Sequence, residues 1–121
     1  MATYAWTIDK LYTKNITESG STYTDAIVRV QGVLTATSEK IGSVNTGHGV
    51  DLDMNVSNVS KSFTAYDSVT EANVTSWIET RIGSTTLEEI KKGLEIELEF
   101  LENIHGSTPK EDSDGKSTFP W

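Results

Sequence analysis

The sequence predicts an α+β fold: an antiparallel β-sheet of about four strands drawn from residues 3–66, packed on one face by two C-terminal α-helices over 69–82 and 86–105. Three observations predict it. Through the first half of the chain apolar and polar residues alternate, which is the period of a half-buried strand. From Ser68 onward the apolar residues recur at spacings of three and four, which is the period of a helix with one buried stripe. The whole chain is 121 residues long, enough to bury one core and too short for two. Residues 1–106 are therefore read as a single domain and residues 107–121 as a flexible acidic tail.

The first strand covers residues 3–11, with Tyr4, Trp6 and Ile8 on one face and Ala5, Thr7 and Asp9 on the other. The polar run from Thr13 to Thr22 is dense in turn-forming residues and reads as a hairpin loop, with Gly20 available for a left-handed turn. Alternation returns from Thr22 to Thr37, where Ala26, Val28, Val30, Leu34 and Ala36 share a face. Gly32 interrupts that run without changing its parity, so a bulge or bend is expected there. Residues 38–49 read as loop. Val50, Leu52, Met54 and Val56 then alternate with Asp51, Asp53 and Asn55 in a third clear strand. Phe63 and Tyr66 suggest a last short strand or an extended arm leading into the helices. Even-numbered residues of the clear strands supply the buried face.

Ser68 followed by Glu71 has capping-box spacing, and Thr70 is an equally good cap for a helix whose stripe is Val74, Trp77, Ile78 and Ile82. Trp77 inside that stripe reads as core rather than as a stacking platform. Gly83 and Ser84 form a short joint. Thr85 or Thr86 would cap a second helix, whose buried stripe is Leu87, Ile90, Leu94, Leu98 and Leu101. Glu88, Glu95, Glu99 and Glu102 lie away from that stripe as a solvated acidic face. Ile96 and Phe100 break the pattern. They are one turn apart and roughly opposite the buried stripe, so they are candidate contacts with another subunit or another protein. The tail ends in Phe119, Pro120 and Trp121, an apolar terminus that is costly to leave in water. It is expected to dock on the domain, against Trp77 for instance, or on a neighbouring molecule.

Composition excludes more functions than it suggests. A net charge of −8 argues against a nucleic-acid binder, since phosphate affinity comes largely from Lys and Arg. The acidity is concentrated on the helices, where residues 61–106 carry nine acidic and four basic side chains. With no cysteine, thiol nucleophiles, zinc thiolates and iron–sulfur ligation are ruled out together. The two histidines are unconnected in sequence, and no motif places a serine on a strained turn, so no catalytic residue is predicted. Gly47-His48-Gly49 lacks the third glycine of a dinucleotide fingerprint and the Gly-Lys-Ser/Thr of a P-loop. Asp51, Asp53 and Asn55 imitate the start of a calcium loop, yet Val56 stands where that loop needs Gly, and strand alternation already explains the spacing. No cofactor or metal is predicted. No secretory leader and no membrane-spanning run is evident, so the sequons at Asn15, Asn55, Asn58 and Asn73 read as accidents of a Ser/Thr-rich chain.

Tyr4-x-Trp6-x-Ile8, the segment from Phe63 to Val74 with its Thr70-Glu71-Ala72-Asn73-Val74 helix start, Trp77-Ile78, and the terminal Pro120-Trp121 together carry a resemblance. They look like small proteins of tailed bacteriophages, including phages of marine cyanobacteria, which share an aromatic first strand, a similar helix start with Trp-Ile/Val following, a charged last helix and a Pro-Trp end. The likeness covers both ends and the centre but not residues 38–62. It implies a phage source and transfers no activity and no functional residue. The expectation is a non-enzymatic virion structural or accessory subunit acting through protein contacts, or a host-interaction protein that uses its acidic helical face. It would have a protein partner or form a homo-oligomer, bind neither nucleic acid nor membrane, and reside in the virion or in the cytoplasm of the infected host.

Overall fold

Three long strands form one antiparallel sheet in the order β1-β2-β3, and two helices cover one of its faces. The structure is a computed structural model that describes residues 2–54 and 63–121. β1 (Ala2–Glu18) and β2 (Ser21–Ser38) make a hairpin, and β3 (Asn45–Asp53) pairs with the second half of β2. A 3₁₀ turn at Tyr66–Ser68 precedes α1 (Glu71–Ile82), and α2 (Ser84–Ile104) follows at once. The α+β class expected from the sequence holds, with three strands rather than about four among the described residues. The segment read as a fourth strand or an extended arm takes the second form over 63–65: it ends in the 3₁₀ turn, and Phe63 packs its ring 5.0 Å from that of Tyr23 instead of joining a ladder.

β1 runs seven residues further than its alternation suggests. Its second half pairs with β2 beyond the end of β3, and none of residues 12–18 is buried, so β1 has no buried stripe to display there. The loop expected over residues 13–22 shrinks to Ser19-Gly20. Both residues are left-handed (φ 52° and 81°), as a two-residue hairpin turn with the right twist requires. Three register shifts mark the β1–β2 pairing, and the first falls at the expected bend. The extra residue there is Asp9 of β1, opposite Gly32, while β2 runs through unbroken. A Cβ on Gly32 would lie 2.8 Å from the Thr7 carbonyl oxygen, so the close approach of the two backbones needs glycine.

The buried face is the even face of β2: Ala26, Val30, Leu34, Ala36 and Ser38 are all buried. Two apolar clusters share it. At one end Leu34, Ala36 and Val44 pack with Leu94 and Leu98 of α2, and at the other Val30 packs with Val74 and Ile78 of α1. Trp6 touches both clusters, and its Nε1 donates to Oε2 of Glu79 at 2.9 Å, so one β1 side chain links the ends of the core and reaches α1. Trp77 is half-buried against the α1 cluster, as a core residue should be.

α1 is capped by Thr70. Its hydroxyl accepts from the Asn73 amide at 3.1 Å while the Asn73 side chain accepts from the Thr70 amide at 3.0 Å, a capping box that begins at Thr70 rather than at Ser68. The expected Thr85 or Thr86 cap for α2 is absent. Gly83 alone separates the helices at φ 87°, so the chain turns within one residue and Ser84, Thr85 and Thr86 already belong to the first turn of α2.

Candidate functional site

The loop joining β2 to β3 is built around one buried hydroxyl. Ser38 Oγ accepts from the amides of Lys40 at 3.2 Å and Ile41 at 3.0 Å, which closes the turn, and it donates to a carboxylate oxygen of Glu102 on α2. The Ser38 amide donates to the Val44 carbonyl at 2.9 Å, and Val44 drops into the core. At the start of β3, Thr46 donates to Glu97 at 2.7 Å. Two glutamates of α2 are thereby used as structural acceptors that hold the helix to the sheet and the loop.

Between this loop and α2 lies an open cleft of about 450 Å³. Ile41 and Leu98 form its apolar floor, Glu95, Glu99 and Glu102 line one wall, and Lys40 stands at the rim. Glu95 also lies beside Tyr4: burial first, then the Glu95 charge, raise the Tyr4 phenol above its ordinary range. Lys91 Nζ sits 5.1 Å above the same ring, so one of the two lysines of α2 is directed at β1 rather than at the glutamates of the outer face.

On the water side of α2, Ile96 is 70 % exposed and Phe100 61 % exposed, as their position off the buried stripe predicts. Ile104, at the edge of that stripe, is 43 % exposed, and one turn before Ile96 stands Gly93 with open space where a Cβ would be. These residues form a ridge along the last three turns of the helix. Glu99 and Asn103, three residues beyond Ile96 and Phe100, separate the ridge from the cleft.

The other contact candidates sit apart from the helix core. Residues 110–118 of the expected flexible tail close on themselves: Asp112 and Lys116 share a backbone hydrogen bond, Thr118 donates to Lys110, and the Asp112 carboxylate accepts from the amides of Asp114 and Lys116. Phe119 is 65 % and Trp121 93 % exposed, and their rings stack on each other 5.1 Å apart, with Pro120 exposed between them. Trp121 therefore does not pack against Trp77.

Two other sequence motifs resolve into strand structure. Gly47, His48 and Gly49 are rungs of β3 paired with Thr35, Leu34 and Val33, and the Val33 side chain lies over Gly47, so the stretch is no phosphate loop. Asp51 faces away from the helices and is held by Arg29 in a two-pronged ion pair at 2.7 and 2.6 Å, with Gln31 donating at 3.1 Å. Tyr12 donates to Gln31 at 3.1 Å, and Arg29 lies 4.7 Å above the Tyr12 ring, so the network spans all three strands. Those bonds, with Arg29 first, hold the Asp51 carboxyl down at about 2. Asn55 and Val56 of the calcium-like pattern lie outside the described residues. No group of three or more His, Asp or Glu that could hold a metal occurs among the described residues, and none of their helices is long and apolar enough to cross a membrane.

The architecture defines a small two-layer α+β domain, with a three-stranded antiparallel sheet under two helices and an acidic helix that keeps an apolar ridge in water. The chain belongs to the family described as Domain of unknown function (DUF7936), whose model matches residues 1–119. No curated protein and no solved structure matches it.

Proposed function

We propose that this chain is a non-enzymatic bacteriophage protein, a virion structural or accessory subunit that acts through protein–protein contacts made by the outer face of α2. The observation that carries the reading is the ridge of Ile96 and Phe100, two large apolar side chains one turn apart, mostly in water and serving no part of the core. Contiguous exposed apolar surface on a small domain marks interaction sites. The stacked Phe119 and Trp121 add a second exposed aromatic surface of the kind enriched at interfaces. The phage source comes from the resemblance of the first strand, the α1 start and the Pro-Trp end. In this reading the chain uses no cofactor or metal and binds neither nucleic acid nor membrane.

Quantitative mass spectrometry of purified virions tests the reading. A fixed copy number per particle supports a structural subunit, and loss of the protein from particles when Phe100 is changed to Ser supports α2 as the contact. A second reading, a host-interaction protein made during infection, is favoured by the acidic flank of Glu95, Glu99 and Glu102. Abundance in infected cells with absence from particles would select it.

A further inference from the structure

We infer that the ridge of α2 and the cleft beside it form one docking surface for a basic amphipathic helix of a partner protein. The inference rests on the protein-contact reading above and names the chemistry of the partner. It starts from adjacency. Glu99 is a next-turn neighbour of Ile96, and it lines the cleft as Glu95 and Glu102 do, so the carboxylate wall of the cleft is also the flank of the apolar ridge. A ligand that covers Ile96 and Phe100 lies beside Glu99, and from there the cleft opens toward Glu95 and Glu102.

The cleft fits one kind of side chain. Its floor of Ile41 and Leu98 is apolar and its wall is anionic. Arg and Lys have that split character, with a hydrocarbon stem that buries on apolar surface and a head that stays with charge. Lys40 at the rim sets a single cation against three carboxylates, so the cleft remains negative. Along the ridge, a partner helix would seat apolar residues over Ile96 and Phe100, and the open space at Gly93 would admit a bulky one.

Charge decides between partners. α2 carries six glutamates and two lysines, one of which sits over Tyr4. A second copy of this chain would bring the same acidic helix to the same face, and like charges would oppose the contact. A basic helix is drawn in by the field that would repel a second copy.

The test uses the full chain and a fluorescein-labelled probe peptide of about 16 residues, roughly four helical turns, with Leu on one face and Arg beside it. Binding is read by anisotropy at low and moderate salt. The amphipathic peptide should bind, and raising salt should weaken it severalfold as exposed charge is screened. E95Q/E99Q should weaken binding by roughly tenfold and flatten the salt dependence. I96S/F100S should abolish it with unchanged circular dichroism. A scrambled peptide of the same composition should bind far more weakly. Equal binding of the scrambled peptide, or no effect of I96S/F100S, would reduce the interaction to charge attraction and overturn the inference. Absence of peptide binding also overturns it. In that case, self-association of the chain that F100S removes would leave the protein-contact reading standing with a second copy as occupant, and absence of both would remove the two together.

Discussion

α1 and α2 sit on the same face of the same sheet, and their outer sides differ. α1 turns Val74 and Ile78 into the core and packs Trp77 and Ile82 around them, and the side chains it leaves fully in water are polar or small. α2 buries Leu94 and Leu98, packs Leu87, Ile90 and Leu101 beside them, and then adds Ile96 and Phe100 on the opposite side. Folding accounts for the apolar residues of α1 completely. It accounts for only the inner half of α2. Both helices carry net negative charge and pack on the same sheet, so the surplus on α2 is specific to that helix, and the place to look for function is its outer side.

The comparison is tested first at the inner faces, where the two helices should behave alike. Ile78→Ala and Leu98→Ala each remove most of a buried side chain from one of the two clusters, and each should lower unfolding free energy by about 3 kcal/mol, within the usual range for such cavities. Urea denaturation measures it. A cost below about 1 kcal/mol for Leu98→Ala would mean that α2 lies loosely on the sheet and would undo the division into inner and outer faces.

The helix starts should behave differently. Thr70→Ala deletes the acceptor for the Asn73 amide and should cost about 1 kcal/mol. Ser84→Ala should cost almost nothing, because α2 begins on Gly83 and receives no side-chain cap. Equal losses at both positions would erase this contrast.

Most of this division was legible in the sequence, because burial writes a period into the chain. The even face of β2 and the stripes of both helices follow from spacing, and Ile96 and Phe100 stood out because they are out of phase with Leu94 and Leu98. What stayed hidden lacked a period. Residues 12–18 form strand with none of them buried, so Ile16 stands among polar neighbours and the stretch reads as loop. Asn45–Gly49 also read as loop, since glycine under Val33 replaces the side chain that would have completed the alternation. The cleft depends on a fold in which Lys40 and Ile41 come to lie against Glu95, Glu99 and Glu102. The Ser38–Glu102 and Thr46–Glu97 bonds and the packing of Ile41 and Val44 with Leu94 and Leu98 hold the loop there, and nothing in the 64-residue spacing of the Ser38–Glu102 pair announces it.

The open side of the sheet offers a smaller test, through pH. Asp51 titrates at about 2 because Arg29 and Gln31 bond its charged form. A carboxyl with a lowered native pKa binds its proton more readily in the unfolded chain, so its stabilisation is complete above the unfolded value of about 3.9 and is lost as pH falls toward 2. Asp51→Asn should therefore unfold less steeply than the wild type between those two values. The difference should be small, and smaller in high salt, because both partners are well exposed. Parallel acid-unfolding curves for the two proteins would show that the cross-strand pair contributes nothing.

Near-neutrality at Phe100 carries the most weight for the comparison. Phe100 is largely in water and belongs to neither apolar cluster, so Phe100→Ser should leave unfolding free energy within about 0.5 kcal/mol of the wild type. The change two residues earlier, at Leu98 on the buried stripe, is among the largest. Two residues two positions apart on one helix would then differ severalfold in what folding requires of them, and the exposed member would be the one whose loss is seen in partner binding. If Phe100→Ser instead destabilises the isolated chain by as much as Leu98→Ala, Phe100 belongs to the core, α2 has no surplus, and the contrast with α1 disappears.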